Sequence, residues 1–588
     1  MSISEGVRTR TGTQRILFIV RFVPVALRQR RHGWILPPTS TNHEGIRPMR
    51  HATLVTLLLL SSCRTSAPPA AGAGDARGAT PTEPTPAPVL SGSVVAGGRQ
   101  LPGAFVSAQP VGAPMRTVVQ TDASGRFAFT ALTPGRYLVR AHRRGIGSVT
   151  TDTLTLPASS PLDLTITPST TPDAASSANY LAMLPDGETK RRFILDCTGC
   201  HQFDARIATP SGRARTEAQW REAVARMLSY AGARTNFPII SASRDPDSTA
   251  AWLAKHVIDQ PLVATDTMRP EAARAAVLTE YDYPVPQDLP HDLAVDRDGR
   301  VVITGMFTHR MWLLHPDSGR FEEVALPMAQ ANPRAVDIDS SGAWWVVLGN
   351  PQQLARRDGV SGQWTTHRVG MYPHSLALDK GRVWFNGHFT KEPELLGYVE
   401  AATGAVRTFE VPNTPALRAG GGPIPYEIRT GPDGTIWLTE LAGNRVVGYS
   451  PERATWDTVT LPTTHSGPRR MDVDARGVLW IPAYSANMLV RFDPRTRRFT
   501  EFPFPVPNAL PYIVRVDLTR GTVWGGTAAA DALFKFDAAA ERFTVYRLPT
   551  PGALIRHIAI DPRNGDLWAA YGASPGVPPK IVRLRATP

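Results

Sequence analysis

The chain has little cysteine and lacks a basic helix or a basic patch interleaved with aromatic residues. Only three of its 588 residues are cysteine, so each thiol is available for a separate task. The apolar run from Ala52 to Leu60 is too short to span a bilayer. The formal net charge is +13, but residues 1–50 alone carry nine arginines against two glutamates. The basic balance therefore does not indicate nucleic-acid binding.

Length and composition indicate several mainly β domains. A chain of 588 residues predicts three or four domains. The 42% apolar content is ordinary for a globular protein, and 54 prolines with 48 glycines favour short strands joined by turns.

The N-terminal part predicts an exported lipoprotein. Leu60-Ser61-Ser62-Cys63 resembles the bacterial lipobox, after a short basic start at Met49 and an apolar run. This resemblance implies a signal peptide over 49–63, lipidation at Cys63 and membrane anchoring on the periplasmic side of the cell envelope. Residues 1–48 are then expected to be an over-extended start. Residues 64–88, rich in Ala and Pro, are expected to be a linker.

Residues 89–168 read as a small antiparallel β-sandwich, because period-2 runs alternate with Gly and Pro. The Thr-Asp-x-x-Gly-x-Phe-x-Phe run from Thr121, and Leu132-Thr133-Pro134-Gly135-Arg136-Tyr137, resemble the carboxypeptidase regulatory-like domain. That resemblance implies a transthyretin-like sandwich without peptidase chemistry. A second linker is expected over 169–185.

Cys197-Thr198-Gly199-Cys200-His201 is the attachment signature of c-type haem. In such a site the two cysteines form thioethers to the porphyrin, and the histidine ligates iron. A structural zinc site would need two more Cys or His residues nearby, and none follows. A redox dithiol normally lies in a thioredoxin-like βαβ pattern, which is also missing.

Helical periodicity surrounds this motif. Thr216 and Gln219 form a capping-box pattern, and apolar residues then recur at helical spacing. Residues 186–262 resemble a small all-α class I cytochrome c domain, which implies a covalent haem c. Met227 is the expected sixth iron ligand, although it could instead pack in the helix core. The rival ligands are Met183, His256 and Met268.

Residues 263–588 repeat with a period of 40 to 52 residues, most often 43. Each unit begins with a strand, followed by a turn and a second strand that carries an aromatic residue. A sevenfold repeat of this length predicts a seven-bladed β-propeller. The last unit lacks its fourth strand, and we expect residues 277–284 to supply it and close the ring. The predicted fold is thus multidomain and mainly β.

One position of the repeat holds only His, Arg or Tyr. Because the first strand of a blade lines the central channel, these side chains are expected to form a ring at one mouth. Such a ring would suit a small anionic or polyol ligand, unless its members merely cap strand ends. Its seven members are His291, Arg334, His374, Tyr426, Arg469, Tyr512 and Arg556.

The repeat resembles the virginiamycin B lyase (streptogramin lyase) family, best over Asp433 to Tyr449. Membership would imply a lyase that opens a macrocyclic ester by elimination, with histidines, glutamates and Mg²⁺. His374 and Glu440 match two of its catalytic positions. Tyr426 replaces the second histidine, and Ile424 replaces a glutamate. The fold resemblance is therefore stronger than the resemblance in chemistry.

These patterns favour a c-type cytochrome lipoprotein that transfers electrons, with a propeller that binds a substrate or a redox partner protein. If the propeller also acts on a substrate, the chain is a haem-linked oxidoreductase. One alternative is a C–O lyase that acts on a macrocyclic ester or polysaccharide through His374 and Glu440, with Mg²⁺. Another is a binding or sensing module without catalysis.

Overall fold

The computed structural model describes residues 89–169, 175–235, 238–260, 262, 275–388, 393–419, 422–572 and 577–586. All of them belong to one unit, Glu83–Pro588. The expected start, signal peptide, first linker and lipidation site at Cys63 lie outside the described residues, as does Met268. The described protein is mainly β, and none of its described helices is long and apolar enough to cross a membrane.

The first described domain is a sandwich with its own apolar core. Along its longest strand, Tyr137, Val139 and Ala141 point inward while their neighbours face solvent, as period-2 alternation requires. One sheet contains β2, β1, β5 and β9, and the other contains β4, β3, β6, β7 and β8. The nine strands are β1 Leu90–Ala96, β2 Arg99–Gln100, β3 Phe105–Pro110, β4 Met115–Gln120, β5 Arg126–Phe129, β6 Gly135–Arg143, β7 Gly147–Thr150, β8 Leu154–Leu156 and β9 Leu162–Ile166.

A helical segment follows the sandwich. Both capping-box hydrogen bonds form at the start of its longest helix, from Gln219 N to Thr216 Oγ1 (3.3 Å) and from Thr216 N to Gln219 Oε1 (2.9 Å). Phe203 stacks on Trp220 and meets Phe193 edge to face in the core of the segment. The helices are α1 Ser177–Leu181, α2 Glu188–Cys197, α3 Ala205–Ala208, α4 Glu217–Ala231 and α5 Pro246–His256; a short α6, Pro415–Ala419, lies later in a propeller loop.

Six antiparallel four-stranded sheets form the first six blades of the propeller. The recurring tryptophan of each blade from the second onward is buried, and apolar residues of adjacent blades pack together. The blade strands are β11 Pro290–Val295, β12 Val301–Gly305, β13 Arg310–His315, β14 Arg320–Val324; β15 Pro333–Ile338, β16 Trp344–Leu348, β17 Gln353–Arg357, β18 Trp364–Arg368; β19 Pro373–Asp379, β20 Arg382–Gly387, β21 Leu395–Glu400, β22 Val406–Glu410; β23 Pro425–Thr430, β24 Ile436–Glu440, β25 Arg445–Ser450, β26 Thr455–Thr460; β27 Asp472–Val473, β28 Leu479–Ala483, β29 Met488–Asp493, β30 Arg498–Pro503; and β31 Pro511–Asp517, β32 Thr522–Thr527, β33 Ala532–Asp537, β34 Arg542–Arg547.

The seventh blade combines the two ends of the propeller sequence. Its first three strands are β35 Ile555–Ile560, β36 Leu567–Tyr571 and β37 Lys580–Arg585, and its outer strand is β10 Val277–Asp282. β10 pairs antiparallel with β37 along its whole length. The ring is thereby closed by backbone hydrogen bonds between segments about three hundred residues apart.

The outer strand of the seventh blade also pairs with the sandwich, which the sequence did not predict. β10 is antiparallel to β4, with Leu278 opposite Val118, so blade and sandwich share one nine-stranded sheet. Arg116 Nε donates to the buried Glu280 at 2.8 Å beside this junction. The pairing satisfies the backbone groups of an edge that would otherwise be open.

Candidate functional site

The seven ring positions lie at or just before the start of the first strand of each blade, and the end of the propeller that they form is called the mouth. In five blades the register shifts directly after the proline that begins the first strand, as in Pro290 to Leu293 and Pro425 to Ile428, and in the seventh blade it shifts after Ile555. Such an extra residue bends a strand and changes the direction of its side chains. The ring residue follows that proline, or in the seventh blade the corresponding Ile555, and is therefore released from the regular pairing.

Ring residues contact one another across the blades. The His291 and His374 rings lie 5.9 Å apart, and His374 lies 4.7 Å from Tyr426. The hydroxyl groups of Tyr426 and Tyr512 are hydrogen-bonded. All seven ring side chains are buried.

The arginines of the ring are held mainly by tyrosines. Arg469 donates to the Tyr426 hydroxyl at 2.9 Å, and its guanidinium lies 4.0 Å from the ring centre of Tyr484 and 4.4 Å from that of Tyr512. Arg556 donates to the Tyr512 hydroxyl at 3.3 Å. These contacts are cation–π interactions and hydrogen bonds from a charged guanidinium to uncharged hydroxyl groups.

The third arginine of the ring, Arg334, lies on the second blade. Its guanidinium stacks on Tyr372 at 4.9 Å, and its Nε lies 3.4 Å from the side-chain oxygen of Asn332. It therefore belongs to the same rim but contacts a different aromatic residue.

The Cys-x-x-Cys-His turn lies directly on this mouth. Helix α2 ends at Cys197, and the Tyr484 hydroxyl donates to the Thr198 carbonyl at 2.9 Å. Arg556 donates to the carbonyl of Gly199 at 3.3 Å and to that of Cys200 at 2.7 Å. The backbone of the motif is thus bound by side chains of the fifth and seventh blades.

The sixth blade completes this contact. Gln202 Nε2 donates to the Ala528 carbonyl at 2.7 Å, and the Ala178 amide donates to the Ala529 carbonyl at 3.0 Å. Tyr484 and Gln202 were not singled out in the sequence. Tyr484 directly follows β28, and His388, which stacks on His374 at 4.0 Å, follows β20 in the same way. This shared position in the repeat is the sequence signal that could have identified Tyr484 and His388; Gln202 has no such signal.

The motif residues fit a covalent haem. Cys197 is half-buried and Cys200 exposed, and both thiols are unpaired. His201 Nδ1 lies 3.1 Å from the Gln202 carbonyl. A histidine that donates from Nδ1 keeps Nε2 as the metal-binding nitrogen.

Neither a redox dithiol nor a structural zinc site is supported by the surroundings of the two thiols. Burial, together with Asp196, raises the pKa of Cys197 to about 12, whereas a reactive dithiol has a lowered thiol pKa. Among the described residues, no group of three or more His, Cys, Asp or Glu side chains is arranged to hold a metal ion.

The candidate sixth ligands occupy different surroundings. Met227 lies on α4 with 36% of its surface exposed, and Tyr230, one turn later, is 65% exposed. Met227 is therefore not a core residue of the described helices. Met183 packs against the helical core, and His256 lies edge to face with Trp252 at 5.9 Å.

The two lyase-like positions have separate partners. His374 Nδ1 lies 2.7 Å from the Tyr426 carbonyl, and burial together with His388 holds its pKa well below the usual value. Glu440 forms a buried ion pair with Arg445, whose Nη2 donates to it at 2.9 Å. Burial raises the pKa of Tyr426 above its usual value, so this tyrosine is a poor base at neutral pH.

A second charged layer lies beyond the ring. Arg470 donates to Asp292 at 2.9 Å, although they belong to the fifth and first blades. Glu427 pairs with Arg429 at 2.8 Å and Arg515 at 3.3 Å. Asp292, Glu427, Arg429 and Arg515 border a cavity of about 370 Å³. In this layer, unlike the ring, each of these arginines faces a carboxylate.

Comparisons with known proteins agree with two of the domains. The model of the virginiamycin B lyase family matches residues 379–575, and that of the carboxypeptidase regulatory-like domain matches residues 89–169. A virginiamycin B lyase from Nocardia farcinica (strain IFM 10152) is 28% identical over 229 residues, which are 39% of this chain and 74% of that protein.

Solved structures show the same similarity at lower identity. A streptogramin B lyase structure is 21% identical with a TM-score of 0.48, and covers 54% of this chain and 100% of its own. A selenomethionine-substituted virginiamycin B lyase from Staphylococcus aureus is 21% identical with a TM-score of 0.47, and covers 53% and 100%. The two family models and the Nocardia relative show that the chain contains a virginiamycin B lyase-like propeller and a carboxypeptidase regulatory-like domain.

Proposed function

We propose that this chain, with its virginiamycin B lyase-like propeller, is a c-type cytochrome lipoprotein of the cell envelope that transfers electrons. The observation that carries the proposal is the position of the haem-attachment motif. Tyr484 and Arg556 bind its backbone at the mouth of the propeller, and Gln202 binds the sixth blade beside it. An electron carrier needs such a fixed geometry between its cofactor and its partner.

In this proposal the chain's own residues have distinct tasks. Cys197 and Cys200 would attach the haem, His201 would ligate iron through Nε2 while the Gln202 carbonyl holds Nδ1, and Met227 would be the second protein ligand. When bound, the haem supplies one-electron oxidation and reduction. Arg556 would hold the backbone of the motif and Arg469 would lie beside it. A substrate or a redox partner would bind the propeller, and lipid at Cys63 would anchor the chain to the periplasmic side of the membrane.

The test is the visible spectrum of the full chain, produced in a bacterium with haem-attachment machinery. We expect a reduced-minus-oxidised c-type spectrum that is lost in Cys197→Ala. Met227→Leu should lower the reduction potential, because thioether ligation raises it. Met183→Leu tests the rival ligand and should leave the potential unchanged; the opposite pattern would assign the ligation to Met183. A colourless wild-type chain would refute the proposal.

A lyase is the second candidate, because the family match over residues 379–575 includes Glu440 and most of the blade that begins beside His374. In this alternative Mg²⁺ and both side chains would open an ester ring. Glu440 is already bound by Arg445, and Ile424 provides no metal ligand. Turnover of a streptogramin-type ester that disappears in His374→Ala would favour the lyase. A non-catalytic binding module is also compatible with the fold.

A further inference from the structure

The mouth of the propeller contains positive charge that its neighbours do not neutralise. Arg469 contacts three tyrosines, and Arg556 contacts one tyrosine hydroxyl and two backbone carbonyls. Within the described part of the chain, neither guanidinium has a carboxylate in ion-pair distance, and the Nε atoms of both are buried without a partner. Both side chains are almost fully buried.

In the second charged layer, by contrast, the arginines are paired with carboxylates. There Arg470 faces Asp292 and Arg515 faces Glu427, so each positive charge has an anionic partner. The ring arginines lie among tyrosines instead, whose π-faces stabilise a cation without cancelling its charge. The pKa of Tyr512 reflects this positive charge. Burial raises the pKa, but Arg469, Arg556 and Arg470 together bring it below its usual value.

This charge lies beside the haem-attachment motif. Arg556 binds the carbonyls of Gly199 and Cys200. A Cβ atom placed on Gly199 would lie only 2.8 Å from Nη2 of Arg469. The two cations are therefore in contact with the turn that connects the cysteines.

We propose that Arg469 and Arg556 raise the reduction potential of the haem that this motif carries, an inference that rests on the proposed function. Reduction adds one negative charge to the haem, so a fixed cation nearby stabilises the reduced form. The tyrosines Tyr426, Tyr484 and Tyr512 hold Arg469 in place and leave its charge effective. The propeller is then part of the haem site and sets its potential.

The experiment is a potentiometric titration of the full-length haem-loaded chain, followed by its visible spectrum. Arg469→Gln and Arg556→Gln each remove one charge, and Arg469→Lys retains it. Arg453→Gln is the matched control, because Arg453 lies in the turn between β25 and β26, at the far end of the blade from Tyr426.

A unit charge at about 10 Å, with an effective dielectric constant of about 20, changes an equilibrium roughly tenfold. We therefore expect each glutamine variant to have a potential lower by about 59 mV, the equivalent of tenfold for one electron. Arg469→Lys and Arg453→Gln should stay near the wild type. If Arg469→Gln does not fold, Arg556→Gln decides.

Two negative results are distinguishable. Covalent haem with glutamine variants at the control potential would overturn this inference and leave the proposed function intact. A wild-type chain without covalent haem would overturn the proposed function and this inference together.

Discussion

The buried pair Glu440–Arg445 allows a quantitative test of whether Glu440 has a structural role. Glu440 is fully buried, Arg445 nearly so, and Arg445 also donates to the Pro412 carbonyl. Replacing Arg445 with Met leaves Glu440 either charged without a partner or protonated. Protonating a glutamate at pH 7 costs about 3–4 kcal/mol, and breaking a buried ion pair costs a similar 3–5 kcal/mol. We expect Arg445→Met to lower the free energy of unfolding by about 3 kcal/mol at pH 7.

The assay is urea unfolding followed by tryptophan fluorescence, at pH 7 and pH 5. The penalty of Arg445→Met should shrink at pH 5, because protonation of Glu440 then costs less. The double variant Glu440→Gln/Arg445→Met should recover most of the loss, since apolar or neutral replacements of a buried pair are often tolerated. A single variant as stable as the wild type, or a double variant as unstable as the single one, would refute a structural role for this pair.

Two further predictions concern buried carboxylates. Burial and the nearby Glu440 raise the pKa of Glu394 to about 9. Between about pH 4.3 and 9 the folded state therefore binds more protons than the unfolded state, and the free energy of unfolding falls as the pH rises. In thermal unfolding, Glu394→Gln should flatten this pH dependence of stability, and Glu452→Gln on the surface should leave it unchanged. Equal slopes of stability against pH for the wild type and both variants would contradict the raised pKa of Glu394. Arg116→Ala should destabilise the junction of sandwich and seventh blade by about 2–3 kcal/mol, because it removes the charged partner of Glu280 and leaves only the hydroxyl groups of Thr550 and Tyr571. Limited proteolysis should then release the sandwich; unchanged protease resistance would show that the strand pairing alone holds the junction.

The propeller and the sandwich could be recognised from the sequence because their signals are local. Each blade repeats a proline, a turn and a buried aromatic such as Trp384 or Trp480. The sandwich strands alternate with period 2, as in β6. These patterns are written within a few tens of residues and do not depend on which domains meet.

The contacts between domains have no such local signal. β4 and β10 are far apart in sequence, and nothing in either strand specifies the other as its partner. The same holds for Arg556, whose ring position was recognisable from the repeat, while its bonds to Gly199 and Cys200 depend on how the helices lie on the propeller. The resemblance also suggested Glu440 as a catalytic residue, and only the structure shows that Arg445 occupies its carboxylate.

Intact-mass spectrometry of the mature chain, after alkylation under denaturing conditions, tests the central claim most directly. With covalent haem, the wild type exceeds the double variant Cys197→Ala/Cys200→Ala by one haem and the two sulfur atoms, and neither Cys197 nor Cys200 is alkylated. Lipid at Cys63 adds the same mass to both proteins and cancels in this difference. A wild-type chain without added haem mass, and with both thiols alkylated, would contradict the account.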